Sequence, residues 1–313
     1  MRTVANWRLR TRALELGRRT LVCGVVNITP DSFSDGGLFF SSDAAIAHAI
    51  RLLDEGADLL DLGAESTRPG SRAGGVDAHA HPNDKNPPLG APLVGAEEEQ
   101  ARLLPVLEGV LKARPHAVLS VDTYKAATAR AALQAGAEIV NDASGLAWDA
   151  GLAQVCAELG AGVVVSHTRG RPEEWHAQPT LAPDALVDAV RDGLVASLQA
   201  AQQAGVAPSR IVVDPGYGFG KRFGENYALL RRQAELLALG RPLFVGLSRK
   251  SFLGRTLAPL FDGNDALPRA RENASLAAMT AAILNGASIV RVHEVRPAVE
   301  AALVADAILA ASE

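Results

Sequence analysis

Eight short apolar runs alternate with eight longer stretches in which apolar residues recur every three or four positions. The short runs have the length of buried strands, and the longer stretches have the period of helices that pack on one face. The runs begin at Leu21, Leu59, Ala117, Glu138, Gly162, Ile211, Pro242 and Ile289. The spacing predicts helices over 42–55, 97–113, 124–135, 149–159, 184–204, 226–239, 269–285 and 297–311.

Strands that alternate with helices are typical of a parallel sheet, which is either closed into a barrel or left open with helices on both faces. In this chain, polar and charged residues follow the end of nearly every apolar run. An open sheet concentrates its site at one switch point, whereas a barrel collects functional groups from all its strand ends. The pattern therefore predicts an α/β fold, a single (β/α)8 TIM barrel with its active face at the C-terminal ends of the strands.

Three segments interrupt the alternation. Residues 72–95 are rich in Gly, Pro, His and Asp and have no period, so we predict a long loop insertion after the second barrel strand. Residues 252–268 form a second irregular segment, after the seventh strand. Residues 1–20 are interpreted as an N-terminal extension and 21–313 as one barrel domain.

Composition narrows the class of protein. With 313 residues, 48% of them hydrophobic, the chain is long enough for such a barrel and its core. A net charge of −4 argues against a nucleic-acid partner, and no apolar segment reaches the ~18 residues of a membrane span. Cys23 and Cys156 lie in apolar segments and form no CxxC pair, so no disulfide framework is expected. We therefore expect a cytoplasmic protein that binds neither nucleic acid nor membrane.

Three polar residues, Asp122, Asn141 and Asp214, closely follow apolar strand residues and are predicted to point into the barrel mouth. A buried carboxylate is costly unless hydrogen bonds are donated to it, and a fused amino-pyrimidinone edge supplies two donors side by side. An asparagine amide can bind an adjacent edge that mixes donors and acceptors. The alternative is that the acids cap the following helices, since VDTYK and NDASG resemble N-caps.

Cationic residues form a complementary group after strands two, seven and eight. They are Arg68, Arg249, Lys250, Arg291 and His293. The loops after strands seven and eight are the usual phosphate site of this fold, and a spacing of two directs Arg291 and His293 to one side of their strand. The alternative is a salt-bridged strand end in which these residues pair with Glu294.

The first strand ends in NITPDSFSDGG, a polar turn whose two glycines leave the next loop free to close. Asn27, Asp31 and Asp35 offer oxygen ligands suited to Mg²⁺, which commonly binds through one or two protein groups plus substrate phosphates. The motif DPGYGFGK at 214–221 contains three glycines that let the backbone approach a flat ligand. Its pattern is not that of a phosphate-binding P-loop.

Taken together, these segments resemble the dihydropteroate synthase family of the folate pathway. The motifs NITPDSFSDGG, DLGAESTRPGS, SVDTYK, NDASG, DPGYGFGK, GLSRKSFLG and RVHEV occur in the order of that family, from residue 21 to the C-terminus. The resemblance implies a transferase that condenses 6-hydroxymethyl-7,8-dihydropterin pyrophosphate with p-aminobenzoate and releases pyrophosphate. It also implies Mg²⁺ as the cofactor, a homodimer, and a pocket that binds sulfonamides.

The same resemblance assigns roles to the residues that match the motifs. The residues expected to hold the pterin are Asp122, Asn141, Asp214 and Lys250. Those expected to bind pyrophosphate are Asn27, Thr67, Arg68, Arg291 and His293. The expected p-aminobenzoate pocket consists of Phe33, Arg68, Pro69, Phe219, Ser248 and Lys250. The residues expected to carry catalysis are Asp122, Lys250, Arg68 and Asn27, of which Asn27 is the expected Mg²⁺ ligand.

This chain departs from the family pattern at two residues and in one segment. Ser166 stands where many members have a methionine that packs on the pterin, which predicts looser stacking. Glu294 stands where aspartate is usual, outside the expected anion contact. The insertion at 72–95 lengthens the loop that is expected to close during catalysis.

Two other functions remain open on the sequence. A methyltetrahydrofolate-dependent methyltransferase shares a pterin-binding barrel, but it does not need the cations that suit a pyrophosphate. A catalytically silent pterin-binding paralogue would have lost the anion-binding or metal-binding residues. In this chain Asn27, Arg68, Lys250, Arg291 and His293 are all present.

Overall fold

The computed structural model describes residues 2, 4–28, 42–65 and 94–311. Two short antiparallel strands come first, β1 (Ala5–Arg8) and β2 (Ala13–Leu16). Within the described residues, eight parallel strands then close into a barrel in which the last strand pairs with the first. They are β3 (Leu21–Asn27), β4 (Leu59–Gly63), β5 (Leu119–Asp122), β6 (Ile139–Asp142), β7 (Gly162–Ser166), β8 (Ile211–Asp214), β9 (Leu243–Gly246) and β10 (Ala287–Val292). The predicted TIM barrel is confirmed.

Helices follow the strands where the periodicity predicts them. They are α1 (Ser42–Asp54), α2 (Ala96–Ala113), α3 (Ala126–Gln134), α4 (Leu152–Leu159), α5 (Pro183–Gln203), α6 (Phe223–Arg232), α7 (Ser251–Thr256), α8 (Glu272–Leu284) and α9 (Val295–Ala310). Short 3₁₀ helices occupy Pro172–Ala177, Pro208–Arg210, Gln233–Leu239, Ala258–Leu260 and Pro268–Arg271. The segment predicted to be irregular, 252–268, overlaps α7, because six residues are too few to show a helical period in a sequence.

Alternate residues of each barrel strand face opposite sides and enter two separate cores. Outward-facing residues such as Leu60, Val121 and Val213 pack with the surrounding helices. Inward-facing residues such as Ile139 and Phe244 fill the barrel interior. Because both faces of each strand are buried, the strands are continuous apolar runs in the sequence, without a polar face.

The hairpin of β1 and β2 closes the N-terminal end of the barrel. Trp7, Leu9 and Leu16 are almost fully buried and pack with the inward-facing strand residues. The indole Nε1 of Trp7 donates a hydrogen bond to the carbonyl oxygen of Arg210 at 2.8 Å, so its polar atom is satisfied. The barrel is therefore plugged at this end, and the C-terminal strand ends at the other end form the mouth.

Two connections at the mouth lie outside the described residues, 29–41 after β3 and 66–93 after β4. The predicted loop insertion at 72–95 falls almost entirely within the second of them. In the part of the chain that the structure describes, no helix combines the length and the apolar character needed to cross a bilayer.

Candidate active site

The side chains predicted to bind a pterin edge lie at the C-terminal ends of the barrel strands. Asp122 ends β5 and is in register with Asn141 of β6, while Asp214 ends β8. Asn141 and Asp214 are each only 7% exposed. The N-cap of the helix after β5 is Lys125, the first N–H of that helix donates to Asp149, and the carboxylate of Asp122 accepts a hydrogen bond from Arg291. The alternative in which Asp122 caps a helix is therefore wrong.

Asp61, in the middle of β4, joins these groups, although the sequence analysis did not single it out. Its Oδ2 accepts hydrogen bonds from Arg291 Nε at 2.6 Å and from Asn141 Nδ2 at 2.8 Å. A terminal nitrogen of Arg291 also donates to Asp122 Oδ2 at 2.8 Å. The signal that could have revealed Asp61 is a carboxylate between leucines inside the apolar run LLDLG.

This contact orients the amide of Asn141. Because Nδ2 donates to Asp61, Oδ1 is the atom turned away from Asp61. Ionised Asp122 and Asp214 also present only acceptors. The three side chains thus form a wall of acceptors that fits a ligand edge with neighbouring N–H groups.

Burial and an excess of carboxylates set the charge of this wall. Asp61 and Asp122 share the single guanidinium of Arg291. Two carboxylates and one guanidinium therefore give this ion-paired group a net negative charge when all three are ionised. Burial raises the pKa of Asp122; Arg291 offsets part of the rise, and the charge of Asp61 adds to it. Burial opposes the charge of Arg291, but the two carboxylates raise its pKa above the ordinary value. The site therefore favours a ligand that donates hydrogen bonds.

Asp214, which is buried, and Lys250, which is partly exposed, carry opposite charges that influence one another. Burial raises the pKa of Asp214 to about 6, although a hydrogen bond from the Gly216 N–H at 2.7 Å and the charge of Lys250 oppose the rise. Burial lowers the pKa of Lys250 to about 8, against the attraction of Asp214. The Nζ of Lys250 lies 4.2 Å from the centroid of the Phe219 ring. Lys250 and Phe219, both predicted for the p-aminobenzoate pocket, are therefore in contact.

The motif DPGYGFGK folds into a loop that is fastened by its own lysine. Lys221 Nζ donates to the carbonyl of Gly216 at 2.8 Å and to those of His167 and Phe219 at 3.3 Å. Gly216 has a φ of +68°, and a Cβ there would lie 1.8 Å from the carbonyl oxygen of His167. Packing within the protein therefore requires a glycine at this position, while the close approach of a flat ligand to this loop stays a prediction. The ring of Phe219 is held in place by stacking on Trp175 at 5.0 Å.

The turn after β9 directs its side chains to different partners. Ser248 Oγ lies 2.9 Å from His293 Nδ1, and it accepts the backbone N–H of the same residue at 3.2 Å. Arg249, predicted as a cation of the mouth, instead directs its guanidinium to Glu272 and Glu294. Glu294 therefore pairs with this turn, and Arg291 pairs with Asp61 and Asp122, not with Glu294 as in the alternative above.

Asn27 ends β3 at the mouth and is partly exposed. Among the described residues, no group of three or more His, Cys, Asp or Glu side chains could hold a metal ion. The single side-chain oxygen of Asn27 nevertheless fits Mg²⁺, which can take most of its ligands from substrate phosphates and water. Six further predicted residues lie outside the described residues, namely Asp31, Phe33, Asp35, Thr67, Arg68 and Pro69.

A buried ionic network, which the sequence analysis missed, fastens the chain just after β4. Lys125 Nζ donates to Glu65 and, at 3.0 Å, to Glu99, which also accepts from Thr128 Oγ1 at 2.8 Å. Burial opposes the charge of Lys125, but Glu99 and Glu65 raise its pKa. The network ties α2 and α3 to the residue that precedes the segment containing Thr67.

Comparison with known proteins identifies the family. The model of a family described as pterin binding enzyme matches residues 23–81 and 85–293. The dihydropteroate synthase of Bacillus subtilis is 38% identical over 297 residues, which cover 95% of this chain and 91% of that protein. This chain belongs to the dihydropteroate synthase family. The resemblance found in the sequence is confirmed, and with it the assignment to the transferases.

Solved dihydropteroate synthases share the fold. The Xanthomonas albilineans dihydropteroate synthase with 4-aminobenzoic acid is 38% identical, with a TM-score of 0.82 over 98% of this chain and 99% of that one. The same synthase in complex with 7,8-dihydropteroate is 36% identical, with a TM-score of 0.77 over 97% of this chain and 99% of that one. The family match continues through the segment 72–95 except at residues 82–84. Most of that segment therefore lies within the match to the pterin binding enzyme family.

Proposed function

We propose that this protein condenses 6-hydroxymethyl-7,8-dihydropterin pyrophosphate with p-aminobenzoate to form 7,8-dihydropteroate and pyrophosphate. The observation that carries the proposal is the wall of acceptors at the mouth, where Asp61 orients Asn141 beside buried Asp214 and partly exposed Asp122. The similarity to synthases solved with 4-aminobenzoic acid and with 7,8-dihydropteroate supports the same reaction.

The acceptor wall suits the amino-pyrimidinone edge of a pterin. Ionised Asp214 accepts two neighbouring N–H groups side by side, while Asp122 and the carbonyl of Asn141 accept donors from the rest of the ring. Lys250 supplies the donor for the carbonyl oxygen of the ring. Burial raises the pKa values of Asp122 and Asp214, so hydrogen bonds from the pterin stabilise charges that are costly in the free protein.

We assign the pyrophosphate group to the side of the mouth with Asn27, Arg291 and His293, which Thr67 and Arg68 would complete. Donors and cations there offset the negative charge that develops as the bond between the methylene carbon and the pyrophosphate oxygen breaks. Mg²⁺, held by Asn27 and phosphate oxygens, would supply Lewis-acid stabilisation of the same leaving group. The electron-rich pterin ring stabilises the cationic methylene, and the carboxylate of Asp122 supports it electrostatically.

The amino group of p-aminobenzoate then attacks the methylene carbon and releases its proton to solvent. No protein nucleophile is required, and neither cysteine is suited to be one, because burial raises the pKa of both the Cys23 and Cys156 thiols. We place the benzoate ring against the edge of Phe219, since Lys250 lies over this ring and Trp175 is stacked on it. A sulfonamide of the same size would compete for this pocket.

We propose a homodimer that forms through α8 and α9. These helices pack against each other, and beyond the exposed ion pair of Arg296 and Glu300 the second half of α9 presents apolar side chains. Leu303, Val304 and Ile308 of α9 are 63%, 61% and 50% exposed, and Leu284 of α8 is 41% exposed. An apolar patch of this kind favours a second copy of the chain. Sedimentation should give a dimer, and Val304→Glu should give a monomer.

Two free cysteines fit the cytoplasm, where we place the protein.

The proposed activity is tested by pyrophosphate release from purified protein given the pterin pyrophosphate and Mg²⁺, with and without p-aminobenzoate. Release that requires p-aminobenzoate and equals the dihydropteroate formed is the expected result. Tight pterin binding without product would favour the catalytically silent paralogue instead. Removal of Mg²⁺ by a chelator should lower the rate of release and leave the binding of a pterin without pyrophosphate unchanged.

A further inference from the structure

The turn between β9 and α7 has an arginine where the backbone favours glycine. Residues 247–250 form a β-turn in which the N–H of Lys250 donates to the carbonyl of Leu247 at 3.3 Å. Arg249, the third residue, has a φ of +60°, in the left-handed region that turns usually reserve for glycine or asparagine. A long side chain is strained in this conformation and persists there only when its surroundings hold it.

Four side chains from two other elements hold Arg249 in this conformation. Its backbone N–H donates to Ser275 Oγ at 2.9 Å, and its carbonyl accepts from Arg271 at 2.9 Å. Its guanidinium donates to Glu272 at 3.1 Å and also to Glu294. Three of these residues lie at the start of α8 or just before it, and Glu294 follows β10. The guanidinium therefore ties the turn to both elements.

The residues on either side of Arg249 are directed to the site. Ser248 contacts His293 through its hydroxyl, and Lys250 lies over the ring of Phe219. Arg249 itself points to Glu272 and Glu294, away from these contacts. Because neighbouring residues share the backbone of one tight turn, fixing the conformation of Arg249 also fixes the directions of Ser248 and Lys250.

We propose that Arg249 is a positioning residue, whose tie to Glu272 and Glu294 holds the amino group of Lys250 at the place that the reaction requires. This inference rests on the proposed function and assigns Arg249 no contact with substrate. A glycine at position 249 would form the same turn without strain, but it would leave the turn untied. Arginine at this position therefore strains the backbone, but its ion pairs fix the position of Lys250.

Arg249→Gly keeps the turn, because glycine adopts the left-handed conformation freely. It removes the ion pairs with Glu272 and Glu294, because glycine has no guanidinium. Asp262→Gly is the matched control, since Asp262 also has a left-handed φ, +51°, and is exposed in the connection after α7. We expect both variants to keep the wild-type Tm. Only Arg249→Gly should lose kcat/KM, by about tenfold to a hundredfold, as for a displacement of about 1 Å at a reacting group. Glu294→Gln should show a smaller loss.

The pKa of the Lys250 amino group is a measure of its position that needs no substrate. Burial lowers the pKa of Lys250 to about 8, and a loosened side chain gains solvent, so the pKa should rise in Arg249→Gly. Labelling with fluorodinitrobenzene at a series of pH values, read at Lys250 by mass spectrometry, measures this change. A raised pKa together with a lowered kcat/KM supports the inference. Weaker binding of inorganic pyrophosphate with an unchanged labelling profile overturns it, since Arg249 would then contact the anion itself.

The wild type in the same assays separates this inference from the proposed function. A wild type that forms no dihydropteroate overturns the function. An active wild type whose Arg249→Gly variant has the same kcat/KM and the same Lys250 labelling overturns only the positioning role. If Arg249→Gly does not fold, the double variant Glu272→Gln/Glu294→Gln undergoes the same two measurements, with the same outcomes for and against.

Discussion

Asp61 Oδ2 lies 2.6 Å from Arg291 Nε, and this contact joins β4 to β10 at the base of the acceptor wall. Asp61 is fully buried, and its other oxygen, Oδ1, has no hydrogen-bond partner among the described residues. A carboxylate in that position is costly, and the guanidinium of Arg291 offsets the cost. Oδ2 of Asp61 also accepts a hydrogen bond from the amide of Asn141. This one buried atom therefore sets the directions of two side chains of the site.

Asp61→Ala should weaken pterin binding about tenfold to a hundredfold, because it leaves one buried donor of the site, the amide of Asn141, mispaired at a cost of about 1–3 kcal/mol. Without Asp61, the amide of Asn141 is free to rotate and to turn a donor towards the donors of the pterin. Titration calorimetry with a pterin measures the loss. Asp61→Asn is the matched control, since its carbonyl still accepts both hydrogen bonds and most of the affinity should remain. Wild-type affinity in Asp61→Ala would contradict the orienting role.

Pterin affinity should fall as the pH falls through about 6. Burial raises the pKa of Asp214 to about 6, and only the ionised carboxylate accepts two donors. Below that pH the free protein binds a proton that the pterin must displace, so the affinity falls by up to about tenfold per pH unit. Calorimetry from about pH 5 to about pH 8 measures this slope. An affinity that does not change over this range would show that Asp214 is not the acceptor.

Asp214→Asn should stabilise the ligand-free protein at neutral pH and abolish pterin binding. Burial raises the pKa of Asp214 from 3.8 to about 6, so the folded protein binds the proton more tightly than the unfolded chain does. The resulting destabilisation is absent at pH values below the pKa of Asp214 in the unfolded chain. It grows between that pKa and the pKa in the folded protein, and it is complete above the latter. It amounts to about 1–3 kcal/mol at pH 7. A Tm at pH 7 lower than that of the wild type would contradict the prediction.

Lys125→Met should destabilise the protein by about 3–5 kcal/mol, because it leaves buried Glu65 and Glu99 without their cation. Denaturant unfolding measures the change. Lys112→Met, on the exposed side of α2, is the control and should change stability little. Since Glu65 precedes the segment with Thr67, we also expect KM for the pterin pyrophosphate to rise. A loss of stability close to that of Lys112→Met would show that the network contributes little.

Much of the site was predictable from the sequence because a strand end is a local feature. Asp122, Asn141 and Asp214 follow apolar runs of strand length, and in a barrel all strand ends meet at one mouth. The positions of these side chains therefore follow from periodicity alone. Their partners do not, because Asp61 and Arg291 are 230 residues apart and become neighbours only when the barrel closes.

By itself, the sequence determined the class of fold, the order of strands and helices, and which strand ends carry chemistry. These properties depend on residue spacing along the chain, which the alternation of apolar and polar positions records. Only the tertiary structure decided that Arg249 points to Glu272 and Glu294 while Lys250, the next residue, lies over Phe219. Two adjacent cations look alike in a sequence. They acquire different roles because backbone conformation, burial and the charges of distant elements are set when the chain folds.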